Sequence, residues 1–435
     1  MAGTNVVRWP DFPTLVRVPP PATMADLAGV IRRLGCARDG DLSILEQAAN
    51  GFPGFFERTL PFLWKAALTG PDVLPASLPI LREPGEVTLT QRQCLVILAN
   101  AFLCSFPGRP SINCLSTPDL PSINFDELFG GEGNDQAQVA KLHMFFLYAD
   151  RCRERLEGGD PLGRPLRFLR RRAARTTVED WCGCPAPLLP PVVHPLHATI
   201  DDARDLLRVD FANAIIGGAA IAYGCVQEEI LFAVCPELIV SRLFCPVMAA
   251  DEAIVIRGAE QFARPEGYGF SLRCGGRFDD PTPLDRDGGR ASWICAIDAL
   301  DFRGGGAQAQ YEPVKVLREL NKAFAGFDLE GAPAGVATGN WGCGAFRGDP
   351  EVKALIQWVA ACRAGRRLEY FPWDNAAVAS RFPGLATDLV RRKMTAGRLA
   401  EFLLKTVRGR GVFDQATQMG SDPGRSQAFP GSGGA

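Results

Sequence analysis

Three carboxylates and two amides stand close together in this chain, in an order suited to acid–base chemistry on an anionic ligand. Asp210 and Asn213 lie on an apolar stretch that reads as a strand through Val209, Phe211, Ile215 and Ile216. Gly217 and Gly218 interrupt it and let a turn of backbone approach another molecule. After a loop of small residues, Gln227, Glu228 and Glu229 stand where a helix opens, running on through Ile230, Leu231, Phe232 and Val234. A strand, a pliable loop and a helix N-terminus together aim backbone N–H groups at one place, which suits a phosphate. Carboxylates beside such a site oppose an anion, and that cost makes sense if one of them is a catalytic acid held protonated. Adjacent helical side chains point about 100° apart, so Glu228 and Glu229 cannot flank one bond from opposite faces. One of the pair transfers the proton and the other positions.

The rest of the chain must hold these residues in place. Its 435 residues suffice for two or three structural units. Apolar content of 47% and charged content of 22% are those of a soluble globular protein. With 47 basic and 49 acidic residues the net charge is −2, so no global field draws nucleic acid or an anionic membrane, and a polyanion must be recognised locally. Most of the 14 cysteines sit singly in apolar runs, as reduced core residues do. Only Cys182 and Cys184 are closely spaced, and His143, His194 and His197 are the only histidines, which speaks against zinc. The N-terminus has no secretory pattern, and no apolar run reaches the ~18 residues a membrane span needs.

Residues 24–34 begin a largely helical pattern that lasts to about residue 157. Its clearest helix starts at Thr90, a cap for Gln91, Arg92 and Gln93, and is apolar on two sides, which predicts burial. Six arginines between Arg164 and Arg175 could bind polymer phosphates or act as a nuclear import signal, and are read here as a solvated connector. From His197 the pattern alternates strand and helix, with strands at 253–257, 293–302, 335–338 and 368–373 and helices at 230–244, 313–324, 349–362 and 395–408. Asp349 as cap and Pro350 at the first helical position make an orthodox helix start. This alternation gives a three-layer α/β unit.

The segment Val209-Asp210-Phe211-Ala212-Asn213, the turn Gly217-Gly218-Ala219 and the triplet Gln227-Glu228-Glu229 closely resemble the catalytic signature of the poly(ADP-ribose) glycohydrolase family. Ala219 stands where that family usually has a third glycine. The resemblance continues through VCPELIVSRLF at 234–244, IRGAEQF at 256–262, AIDALDF at 296–302, RELNKAFAGF at 318–327, ATGNWGCGAFRGD at 337–349 and YFPW at 370–373. It includes LANAFLCSFPGR at 98–109 and INFDELF at 123–129, and covers roughly residues 60–410 in family order.

The resemblance implies a macrodomain-like core with a mixed central sheet (residues 196–412), a helical accessory region (1–195) and a disordered tail (413–435). It implies cleavage of ribose–ribose O-glycosidic bonds in poly(ADP-ribose), with Glu229 as the acid that protonates the leaving oxygen and then activates water. Glu228 would orient ribose, Asp210 would support the loop, and Asn213 would bind sugar hydroxyls. Gly217 and Gly218 would receive the diphosphate, with Gln227 beside them. A second phosphate loop would use Asn340, Gly342, Gly344 and Phe346, while Tyr268 closes over the nucleotide and Trp373 lies near the adenine. Trp341 is expected in the core. No metal or organic cofactor is expected. The expected partner is poly(ADP-ribose) on modified proteins, met by a monomer in the nucleus or cytoplasm without direct nucleic-acid or membrane contact. The alternative is a catalytically weakened polymer reader, motivated by the extra methyl of Ala219.

Overall fold

The computed structural model describes residues 6–34, 40–109, 120–131, 135–174, 176–306 and 308–420. The chain divides into two compact units, one of Met1–Arg172 with Asp210–Asp298, the other of Ala173–Val209 with Ala299–Ala435.

In the first unit, helices enclose an aromatic core. Thr90 caps the helix Gln91–Phe102 through a reciprocal pair with Gln93, and ten of its twelve residues are buried, as its two-sided apolar pattern predicts. Phe102 ends this helix among Phe125, Phe129, Phe145 and Phe146, with ring centres 5.5–6.3 Å away. Such contacts each add about 0.5–1.5 kcal/mol beyond burial. The long helix Asp135–Glu157 supplies Phe145 and Phe146, and also carries Lys141 on its buried side.

The same unit holds four antiparallel strands, of which two, Gly85–Thr90 and Pro165–Arg172, were concealed by the helical pattern and two lie near the strands expected at 253–257 and 293–302. Gly85–Thr90 pairs with Pro165–Arg172, which pairs with Glu252–Gly258, which pairs with Arg290–Ala296. The arginine-rich segment is therefore a central strand and not a solvated connector. Its alternation turns Leu166, Phe168 and Arg170 inward. Arg170 is only 4% exposed and donates to Pro246 O, Val247 O and the Glu252 carboxylate, so its charge is matched where it is buried. Arg175 lies outside the described residues.

The second unit has parallel pairing with helical crossovers. Leu207–Asp210 pairs with Gly335–Gly339, which pairs with Arg367–Phe371, which pairs with Val192–Val193. The helices Pro313–Phe327 and Pro350–Arg363 run between these strands in the sequence. Asp349 caps the second by accepting from Glu351 N at 2.8 Å, with Pro350 at its first position as expected. The expected helix over 395–408 is α-helical only for Ala396–Glu401 and continues as a π-helical turn, Phe402–Thr406. A short helix, Val412–Thr417, begins the segment expected to be disordered. Among the described residues, no helix is long and apolar enough to cross a membrane.

Candidate active site

The strand before the glycine turn is shorter than its apolar pattern suggests, ending at Asp210 instead of running to Ile216. The next backbone donors are diverted to side chains of the helix that follows. Phe211 N donates to Gln227 Oε1 and Asn213 N to Glu228 Oε2, both at 2.8 Å. The helix itself, Gln227–Val234, stops before Pro236, and a 3-10 segment, Pro236–Leu243, replaces the expected continuation to Phe244. Proline has no N–H to continue the α-helical ladder.

The loop between strand and helix is held by four side chains, two carboxyl groups on its N–H groups and two basic groups on its carbonyls. Glu228 Oε1 accepts from Gly217 N at 2.7 Å, while Glu229 accepts from Ala219 N at 3.2 Å and from Val226 N at 3.0 Å. Arg242 Nη1 donates to Ile216 O at 3.1 Å and Gly218 O at 2.8 Å. Lys141 Nζ donates to Ala222 O at 2.5 Å and Gly224 O at 2.7 Å, and reaches Ala219 O at 3.4 Å. All four side chains are buried. Glycine is required at the centre: Gly217 and Gly218 have φ of +80° and +44°. A Cβ on Gly218 would stand 2.6 Å from Glu229 Oε1 and 2.7 Å from Glu228 Oε2. Ala219 keeps out of the left-handed region, so its methyl carries no backbone strain.

Burial dominates the electrostatics. It raises the Glu228 carboxyl well above the ordinary glutamate range, with Asp210 and Glu229 adding to the rise, while the amides of Asn213 and Gly217 oppose it. Asp210 is fully buried and, among the described residues, neither of its carboxylate oxygens has a hydrogen-bond partner. Burial, then the charge of Glu229, pushes Asp210 well above the aspartate range, which favours its neutral form. Its side chain thus bonds neither the loop amides nor Gln227, the support suggested from sequence. Burial pulls the Lys141 ammonium down to about 8, which nearby Glu229 resists, and pulls Arg242 down to about 10, which Glu228 resists.

Glu229 is the less enclosed of the two glutamates, at 7% exposed against 2% for Glu228. The Tyr268 turn adjoins this loop, because Gly269 N donates to Cys225 O at 3.1 Å, and leaves Tyr268 47% exposed. Phe262, by contrast, lies in the core with its ring edge-on to Tyr148 at 4.8 Å.

In the second unit, Asn340 fixes its own loop: its Nδ2 donates to Pro372 O at 2.8 Å and its Oδ1 accepts from the Tyr370 hydroxyl at 2.9 Å. That bond ties the loop of Gly342, Gly344 and Phe346 to the backbone just before Trp373. Gly342 has φ of +71°, and a Cβ there would lie 2.4 Å from Ala299 Cβ. Trp341 is fully buried under the Lys353 ammonium, the core place expected for it. Trp373 has φ of +54° and is 41% exposed, a strained backbone that presents a large ring to solvent.

Residues 49–160 match the family described as "Poly (ADP-ribose) glycohydrolase (PARG), helical domain", and residues 178–380 match "Poly (ADP-ribose) glycohydrolase (PARG), Macro domain fold". "Probable poly(ADP-ribose) glycohydrolase 2" of Arabidopsis thaliana is 32% identical over 423 residues, covering 83% of this chain and 79% of that protein. The chain belongs to the poly(ADP-ribose) glycohydrolase family. "Poly(ADP-ribose) glycohydrolase 1" of Caenorhabditis elegans is 31% identical over 79% of this chain and 43% of that protein. A crystal structure of the glycohydrolase from Deinococcus radiodurans in complex with ADP-ribose aligns with 49% of this chain and 93% of that one. Its identity to this chain is 18% and the TM-score is 0.31.

Every site residue named from the sequence, Asp210 to Trp373, lies in the macro-fold match of this family member. Lys141, which sequence reasoning missed, lies in the helical-domain match. Its one signal was a lone cation in the apolar run between Val139 and Phe146; Arg242, also missed, sits likewise between Val240 and Phe244.

Proposed function

We propose that this protein is a poly(ADP-ribose) glycohydrolase that cleaves ribose–ribose O-glycosidic bonds and releases ADP-ribose, with Glu229 as general acid and then general base. Family membership supports the activity, and one geometric observation supports the assignment of roles. The two glutamates meet the glycine turn from inside, but Glu228 is locked by bonds of 2.7 and 2.8 Å, whereas Glu229 holds Ala219 N by a longer 3.2 Å bond and is more exposed.

Protonated Glu229 donates to the leaving ribose oxygen as the C–O bond breaks and positive charge develops at the anomeric carbon. The resulting carboxylate takes a proton from water as that water adds to the same carbon, restoring the acid. Glu228 fixes the turn, and each of its oxygens keeps a further lone pair for a ribose hydroxyl. Asn213 binds sugar, and the Gly217–Gly218 turn lies against the diphosphate, its own N–H groups being held by Glu228 and by Ile215 O. Asp210, neutral, adds no charge against that anion. Asn340, Gly342, Gly344 and Phe346 form the second phosphate loop, Tyr268 covers the nucleotide, and Trp373 offers a stacking face to adenine. We place the helical part at 1–195 and the catalytic part at 196–412, acting as a monomer on polymer attached to modified proteins in the nucleus or cytoplasm.

Glu229→Gln keeps the size of the side chain and loses the transferable proton. Release of ADP-ribose from defined polymer should fall at least ~100-fold while ADP-ribose still binds. Near-normal turnover by this variant refutes the assignment. Native protein that binds ADP-ribose but leaves polymer intact refutes the activity.

A further inference from the structure

Just past Phe346, the second unit contains a cavity of about 550 Å³, within the range of small-ligand sites. Arg303, Arg347 and Arg410 stand on its wall together with Asp349 and Glu351. The two acids are already engaged. Asp349 accepts from the Tyr311 hydroxyl and from Glu351 N, while Glu351 pairs with Arg381 and accepts from Phe413 N. Arg303 is paired with Asp301, and its guanidinium lies 5.6 Å from the centre of the Phe346 ring. Among the described residues, the side chains of Arg347 and Arg410 have neither an ion pair nor a hydrogen bond. With Arg303 and Glu351 paired, the two arginines Arg347 and Arg410 outweigh the single carboxylate Asp349, and the net charge on the cavity is positive.

A second observation concerns the backbone. Arg347 has φ of +56°, a conformation natural to glycine, and its N–H closes a turn on Gly344 O at 3.1 Å. A long cationic side chain kept at a strained position, on the rim of a positive cavity, marks a binding feature.

We infer that this cavity is an accessory anion site that takes the diphosphate of an ADP-ribose unit neighbouring the one being cleaved, which rests on the polymer substrate proposed above. The same chemistry would admit a free nucleoside diphosphate, so the test separates the two sources. Arg347→Gly suits the backbone, Arg410→Gln alters an exposed side chain, and the double variant should melt with the native protein. Turnover is followed against salt on long polymer and on a substrate bearing one ADP-ribosyl group on a small leaving group.

The double variant should raise KM for polymer about tenfold with kcat unchanged. The slope of log KM against log salt should fall by about 1.4, or ~0.7 for each charge removed. KM for the single-unit substrate should stay within twofold. Equal changes on both substrates, or none on either, overturn the inference. So does a variant that only loses inhibition by added ADP, since the ligand is then the free nucleotide. Affinity for labelled polymer is measured in the Glu229→Gln background as well. If native protein releases no ADP-ribose the proposed activity fails, and a double variant that binds labelled polymer as tightly as its parent overturns this inference independently.

Discussion

Replacing Lys141 with Met separates loop positioning from stability. Keeping this ammonium charged at pH 7 costs about 3 kcal/mol, from the distance between 10.5 and about 8. Against that stand two short donations, to Ala222 O and Gly224 O, each contributing about 1.5–3 kcal/mol as charged hydrogen bonds. The two nearly offset, so Lys141→Met should cost at most about 3 kcal/mol of stability. Catalysis should suffer far more. Carbonyls 219, 222 and 224 lose their anchor, Ala219 N shifts from Glu229, and a displacement of about 1 Å can cost ~100-fold in rate. The pH dependence gives an independent signature. The folded-state pKa lies below the unfolded one, so the unfolded chain holds more protons between about 8 and 10.5, and this group's contribution to stability rises with pH across that window. Activity should instead fall above pH about 8 as the ammonium is lost, and that alkaline limb should vanish in the variant. Calorimetry, ADP-ribose release against pH, and hydrogen exchange at amides 219–224 provide the readouts. A variant within threefold of native turnover, with those amides equally protected, would falsify the positioning role.

Gly218→Ala should abolish turnover by more than ~100-fold, because the new methyl collides with both catalytic-loop carboxylates; crystallography or exchange data showing an undisturbed turn would contradict this. Burial raises Glu237 to about 8, so its stabilising protonation is complete below about pH 4.5 and is lost as pH rises through 8. Glu237→Gln should therefore raise the melting temperature at pH 8, by the equivalent of up to ~4 kcal/mol, and change little at pH 4; equal effects at both would sink the assignment. Arg170→Ala strands Glu252 with only Arg172 and Ala249 N, and denaturant melts should register a loss of about 3 kcal/mol. A loss under 1 kcal/mol would show that Arg170 is dispensable.

Local signals were readable in the sequence, and long-range ones were not. Gly217, Gly218 and the Gln227–Glu229 triplet carry their conformation with them, so turn and helix start fall where their residue types place them. The strand end did not, because apolar Ile215 and Ile216 argue for continuation and only the folded helix reveals that Gln227 and Glu228 claim the next N–H groups. Charge hid the strand Pro165–Arg172: its period-2 pattern puts Arg170 at an inward position, which makes sense only once Glu252, two residues along the neighbouring strand from its register partner Ile254, pairs with it. Lys141 was invisible for the same reason, as its acceptors lie 78 to 83 residues further along the chain.

The way the glycine turn is held bears on whether the enzyme is modular. The macro-fold match, residues 178–380, supplies Glu228, Glu229 and Arg242 but not Lys141. Excised alone, that segment would leave the carbonyls of Ala222 and Gly224 without their donor and Glu229 without the Lys141 ammonium beside it. The helical region is therefore no detachable appendage. Any shuffling of these two segments between relatives, in evolution or at the bench, must transfer the lysine and its three carbonyls together, or deliver a catalytic fold with its central turn unset.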